Sequence, residues 1–126
     1  MGPPSSWVRG RLAESLVEAE LARRGFDILA RNLRDGPLEL DLVARRDALV
    51  VVVEVRARGA TSFAPPFASI TWKKKRFLLR AANRLWTKHV AKMAGVERFR
   101  IDVASVTFGA GSAVVDILEG AITFDH

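Results

Sequence analysis

The sequence contains no cysteine and only two histidines, His89 and His126. Without cysteine the chain has no disulfides and no thiolate metal site, and two histidines are too few to indicate a histidine metal site. Long apolar runs are also missing, since the longest, over 48–53, is far too short to span a membrane. The first residues, MGPPSSW, lack the basic start and apolar stretch of a signal peptide. These absences predict a cytoplasmic protein with no membrane partner.

Positive charge is in excess, because 20 lysines and arginines face 14 aspartates and glutamates, which gives a formal net charge of +6. A basic domain of this size suits a polyanionic partner, and nucleic acid before any other. Charge alone leaves open that the surplus serves solubility. Hydrophobic residues make up 49% of the chain, which is enough for a real core and excludes a disordered chain.

The order of the predicted elements indicates an α/β fold with a mixed central β-sheet flanked by helices. Residues 10–24 carry apolar side chains at helical spacing, and Gly25 follows as a C-terminal cap. The other predicted elements are a strand over 26–31, a turn over 32–37, hairpin strands over 38–44 and 50–57, a loop over 59–69, a helix over 71–94 and strands over 98–108 and 113–120. We interpret residues 1–9 as a flexible tail and 10–126 as a single domain.

Three carboxylates lie within this otherwise apolar hairpin. Alternation of side chains puts Glu39 and Asp41 on one face of the first strand. A four-residue loop over 46–49 would pair Arg45 with Val50, and hence Asp41 with Glu54 and Glu39 with Arg56.

Two adjacent carboxylates repel each other, and a divalent cation such as Mg²⁺ would compensate for their burial. The alternative is that Glu39 pairs with Arg56 while Asp41 and Glu54 point into solvent and bind nothing. Spacing alone leaves both interpretations open.

The long helix carries a row of cations. Arg76, Arg80, Arg84 and Lys88 recur every four residues, Lys92 continues the row, and Lys73, Lys74 and Lys75 stand at its start. Such a stripe can follow a phosphate backbone, and the helix contains no acid that would neutralise it. We therefore predict a nucleic-acid-binding face, against the alternative that acids from elsewhere in the chain neutralise the stripe.

Five stretches carry a family resemblance, in this order: GRLAESLVEAELARRGFDILARNLR, LELDLVAR, VVVEVRAR, KKKRFLLRAANRLW and FRIDV. With them the chain resembles the YraN-like family of small uncharacterised bacterial proteins. That family is similar to the restriction-endonuclease-like fold of Holliday-junction resolvases. Nucleases of this fold carry an acidic residue, followed later by Asp/Glu-x-Lys.

The resemblance implies a catalytic site and its roles. Asp41 matches the first acid, and Glu54-Val55-Arg56 matches the second motif. Glu14 matches an acid that resolvase-like members place near the metal, and Glu39 matches the family's acid two residues before the aspartate. The implied activity is cleavage of a phosphodiester in branched or structured DNA, dependent on Mg²⁺ or Mn²⁺. Asp41 and Glu54 would hold the metal, Glu14 would add a direct or water-mediated ligand, and the junction-cutting relatives imply a homodimer.

One position departs from the motif, because Arg56 stands where the nucleases have lysine. Arginine stays protonated, so it can bind a phosphate but cannot act as a base. The sequence therefore favours DNA binding over cleavage. Two alternatives stay open: an inactive endonuclease-fold module that binds DNA, and a protein-interaction scaffold with an acidic partner.

Overall fold

The computed structural model describes residues 6–59, 65–67 and 70–123. Its elements follow in the order α1 (Ser6–Arg23), β1 (Asp27–Asp35), β2 (Leu38–Arg46), β3 (Leu49–Gly59), α2 (Trp72–Lys88), a 3-10 turn (Val90–Lys92), β4 (Arg98–Gly109) and β5 (Ser112–Ile122). The predicted loop over 59–69 falls largely outside the described residues. None of the described helices is long and apolar enough to cross a membrane.

The five strands form one sheet in the order β1-β2-β3-β4-β5. The β3–β4 pair is parallel, and the other three pairs are antiparallel. A parallel pair needs a long crossover, and here α2 lies within that crossover. The sheet is therefore mixed, as predicted.

The two helices cover opposite faces of the sheet. On one face, α1 buries Ala13, Val17 and Leu21 against a cluster that includes Val51 and Val53 of β3. On the other, α2 buries its own apolar stripe against a second cluster, which includes Val50 and Val52. Because β3 is buried on both sides, its continuous valine run is apolar on both faces. The predicted α/β class, a central sheet flanked by helices, is confirmed.

Three predicted boundaries are wrong. Helix α1 begins at Ser6, so residues 6–9 are helical rather than part of a tail, and Gly10 has open space around it within the helix. The predicted turn over 32–37 is mostly strand, because β1 runs to Asp35. Helix α2 ends at Lys88, where the 3-10 turn brings Val90 into the core and takes Lys92 off the stripe.

Strand β2 changes its buried face in the middle. Leu40 packs in the α2-side cluster, whereas Leu42 packs in the α1-side cluster. Simple alternation would keep these two side chains on one face, so the pleat is interrupted at Asp41, between them. The backbone of the neighbouring strand is irregular at the same level, because Asn32, which lies between the pairs Arg31↔Leu42 and Leu33↔Leu40, has a φ of 49°.

Candidate acidic site at the split hairpin

The hairpin has the predicted register but opens before it reaches the carboxylates. Arg45 pairs with Val50, as predicted, although Arg46 also pairs with Leu49 and so the loop has only two residues. The pairing then ends at Leu42↔Val53. Beyond this point the Asp41 carboxylate takes the place of a ladder bond, because its Oδ2 accepts the Val55 N–H at 2.9 Å. Asp41 and Glu54 therefore meet at the point where the two strands separate, rather than as a ladder pair.

Glu54 is the most buried acid of this site, with 5% of its surface exposed. Its Oε1 lies 3.3 Å from the Lys74 Nζ and 3.8 Å from the Arg56 Nε. Its Oε2 is also buried and has no hydrogen-bond partner in the described part of the chain. An unpartnered buried carboxylate oxygen is costly, so this atom is where a bound cation would be most stabilising.

The pKa of Glu54 is raised from 4.5 to about 7, first by burial and next by the charge of Asp41, against the opposing charges of Lys74 and Arg56. Burial likewise raises the pKa of Asp41, although the Val55 N–H and the charge of Lys74 oppose it. Burial is the first cause of both shifts, because it takes the ionised carboxylates away from water. A group of this kind favours a proton or a metal cation between its members.

Glu14 reaches the edge of this group from α1. Burial raises its pKa, and the negative charge of Asp41 raises it next. The Asn32 side-chain amide donates to its Oε2 at 3.5 Å. Within the described residues, no three acidic or histidine side chains converge closely enough to form a metal cluster by themselves. Asp41 and Glu54 are thus the candidate ligands, and a ligand role for Glu14 stays a prediction.

The expected pairing of Glu39 with Arg56 is wrong. Glu39 lies opposite Arg34 of β1, and their side chains form an ion pair at 3.5 Å. The side chain of Arg56 instead lies beside that of Glu54, which precedes it by two residues on β3. The reason is the separation of β2 from β3, which ends the ladder before it reaches either residue.

Asn32 is a site residue that the sequence analysis missed. Its positive φ is unusual for a residue with a side chain, although asparagine tolerates it better than most. It lies beside Asp41 in the β1–β2 register and donates to Glu14. The only signal in the sequence was its place in NLRDGP, which we assigned to a turn.

The cationic stripe on α2 divides into two parts. Arg84 and Lys88 both bind Asp35 at the end of β1, with N–O distances of 2.8 and 3.0 Å. These two cations hold the pKa of Asp35 well below its usual range. An acid from elsewhere in the chain therefore neutralises this half of the stripe.

The other half stays available. Lys73, Arg76 and Arg80 are exposed, and none of them forms an ion pair with an acid in the described ranges. Lys74 belongs to the acidic site, since its ammonium contacts Glu54. Trp72, 77% exposed, begins the same helix. The free cations thus lie on the N-terminal half of α2, the half from which Lys74 reaches the carboxylates.

Fold and site together define the class of this protein: an α/β domain with a mixed sheet and a carboxylate pair at the end of a split hairpin. The chain belongs to the uncharacterised protein family UPF0102, whose sequence profile matches residues 13–106. This family confirms the resemblance to the YraN-like proteins.

The relatives match over most of their length. A UPF0102 protein of Sorangium cellulosum is 44% identical over 124 residues, which are 95% of this chain and 86% of that protein. One from an Anaeromyxobacter species is 39% identical over 90% of this chain and 83% of its own. Among solved structures, the chain is similar to Pyrococcus furiosus SfsA in complex with Ca²⁺, with 14% identity and a TM-score of 0.42. That match covers 91% of this chain and 62% of the SfsA chain.

Proposed function

We propose that this chain binds structured or branched DNA and hydrolyses a phosphodiester bond in a reaction that depends on a divalent metal. The observation that carries the proposal is the buried, unpartnered Oε2 of Glu54 beside Asp41. Nucleases of the restriction-endonuclease-like fold, which the chain resembles, carry an acidic residue followed later by Asp/Glu-x-Lys. The match of Asp41 and Glu54 to the acids of that motif supports the same assignment.

The residues present fit a hard divalent cation. Mg²⁺ takes oxygen ligands and is often held by one or two carboxylates together with substrate phosphates and water. Asp41 and Glu54 would hold it, and the charge of Glu14 nearby would add to the attraction. Bound there, the metal would polarise the phosphate and lower the pKa of a water molecule.

The chain's own residues supply the rest of the electrostatics. The Val55 N–H fixes one oxygen of Asp41 and so orients that carboxylate. Arg56 lies against Glu54, and its Nε is buried and has no hydrogen-bond partner among the described residues. A guanidinium in this position can bind a phosphate oxygen, because its fork of donors matches phosphate geometry.

The surface beside the site supports a nucleic-acid substrate. Lys73, Arg76 and Arg80 leave three unneutralised charges on the half of α2 that carries Lys74. A row of cations that leads to a metal site can hold the phosphates on either side of the reacting one. Trp72 can stack on an unpaired base, as aromatic side chains do in single-strand binding proteins.

The test is a cleavage assay on a four-way DNA junction, on duplex and on single strand, with and without Mg²⁺ or Mn²⁺. We expect cleavage of the junction only with metal, and its loss in Asp41→Asn. Asp27→Asn is the matched control, because Asp27 is exposed at the start of β1, away from the carboxylate site. Absence of cleavage by the wild type, or equal cleavage by Asp41→Asn, would contradict the proposal.

A non-catalytic DNA-binding module is the second candidate, and Arg56 in the place of the motif lysine is what favours it. It predicts salt-sensitive DNA binding without cleavage under any metal. An interaction scaffold with an acidic partner would show neither DNA binding nor DNA cleavage. The homodimer implied by the resemblance and the cytoplasmic location stay predictions.

A further inference from the structure

We propose that Lys74 supplies from helix α2 the ammonium group that nuclease relatives of this fold place two residues after the glutamate. This inference rests on the proposed function and deepens it, because it assigns the catalytic cation of the same site. The observation behind it is independent of the motif: an ammonium on another element contacts the motif glutamate at 3.3 Å.

Three contacts fix the position of Lys74. Its backbone N–H donates to the Thr71 Oγ1 at 3.1 Å, which caps the first turn of α2. Its Nζ lies 5.4 Å from the centre of the Phe77 ring, one helical turn further on. The same Nζ then contacts the Glu54 Oε1. The ammonium is thus held from both sides, although the side chain keeps 33% of its surface exposed.

This placement leaves donors for a substrate. An ammonium has three N–H groups, and the contact with Glu54 uses one direction. It also leaves the Glu54 Oε2 without a partner among the described residues, so the cation and the proposed metal position occupy different oxygens of one carboxylate. Lys73, the preceding residue, is exposed and forms no ion pair with either carboxylate of the site. Of these two neighbouring lysines, it is therefore Lys74 that contacts the site.

The chemistry explains why an ammonium matters where a guanidinium is already present. In hydrolysis the water oxygen bonds to phosphorus, the bond to the leaving oxygen breaks, and that oxygen takes up a proton while the water gives one up. Lys74 keeps its own proton and donates hydrogen bonds to the attacking water and to a phosphate oxygen. A compact ammonium can turn toward both, whereas the planar fork of Arg56 favours one bidentate partner.

The test compares Lys74→Met with Lys92→Met, which removes the same charge from an exposed lysine on the 3-10 turn, off the cationic stripe. We expect Lys74→Met to lose cleavage by at least about 100-fold, as expected when one preorganised donor to a transition state is removed. Lys92→Met should keep the cleavage rate of the wild type. Equal cleavage by the two variants would overturn the assignment.

A rescue separates chemistry from folding. The double variant Arg56→Lys with Lys74→Met returns an ammonium to the motif position, and we expect it to recover at least tenfold over Lys74→Met alone. No recovery, together with unfolding of Lys74→Met by circular dichroism, would make Lys74 a structural residue and overturn the proposal.

Metal affinity gives a readout without activity. Removing a positive charge next to Glu54 should tighten Mn²⁺ binding several-fold in Lys74→Met, measured by calorimetry, and leave it nearly unchanged in Lys92→Met. Equal affinities would contradict the placement of Lys74 beside the proposed metal position. A wild type that binds Mn²⁺ but cuts no DNA refutes the proposed function, whereas a wild type that cuts as fast as Lys74→Met refutes only this inference.

Discussion

Glu54→Gln should change how stability depends on pH. The folded state raises the pKa of Glu54 from 4.5 to about 7, chiefly because the carboxyl is buried. Between these values the folded protein binds this proton and the unfolded chain releases it. Stability conferred by the proton is therefore fully present below pH 4.5 and is lost as pH rises to about 7. Glutamine cannot ionise, so the variant does not show this loss.

The size of the effect follows from the same two values. Each pH unit between 4.5 and about 7 corresponds to roughly 1.4 kcal/mol, so the ionised wild type loses on the order of 3 kcal/mol. That is a large fraction of the roughly 5–15 kcal/mol by which a typical domain is stable, so it is measurable. Above pH 7, Glu54→Gln should be the more stable protein, and the advantage should vanish near pH 4.5.

The assay is urea unfolding of both proteins from about pH 4 to about pH 8.5 in the presence of a chelator, a range that spans both pKa values. Glu97→Gln is the control, because Glu97 is exposed, so its curve should run parallel to that of the wild type. Excess Mg²⁺ at the alkaline end should then stabilise the wild type and leave Glu54→Gln unchanged. Parallel curves for the wild type and Glu54→Gln would refute the claim that this carboxylate is held under electrostatic strain.

Three further outcomes test the surface and the strand irregularity. Arg80→Ala should weaken DNA binding and reduce its salt slope by about 0.9, since it removes one cation that contacts the phosphate backbone. Arg84→Ala should reduce the slope less, because Arg84 is already engaged in an ion pair with Asp35. Equal slopes for the two variants would contradict the division of the stripe. Asp35→Asn releases both cations that bind it, so DNA affinity and the salt slope should rise, and a fall in affinity would argue against this face. Asn32→Ala should lose about 1 kcal/mol in urea unfolding, while Asn32→Gly, which accepts a positive φ, should lose less; the reverse order would contradict the backbone assignment.

The hairpin register could be predicted, and the opening of the hairpin could not. A loop centred between the two predicted strands was enough to pair Arg45 with Val50, although the loop has two residues and not the expected four. The separation of the strands at Asp41 depends on an interruption of the pleat that β1 shares, with a left-handed Asn32 beside it. No pattern within one strand contains that information, because alternation is a property of each strand alone.

The roles of the individual cations on α2 could not be predicted from the sequence either. Helical spacing correctly placed Arg76, Arg80, Arg84 and Lys88 on one stripe, but their partners come from distant parts of the chain. Asp35 is 49 residues from Arg84 and neutralises it. Lys74 reaches Glu54 only because α2 crosses the face of the sheet on which that glutamate lies. Charge patterning therefore predicted the patch, whereas tertiary packing decides which cations belong to the acidic site.

We propose that Asp41 and Glu54 form a divalent-metal site at the split end of the hairpin. Anomalous diffraction from a crystal soaked in Mn²⁺ at a pH above the raised pKa of Glu54 tests it most directly. We expect one strong peak within coordination distance of both carboxylates, on the Oε2 side of Glu54, and its loss in Glu54→Gln. Density with no such peak, or a peak that persists in Glu54→Gln, would contradict it.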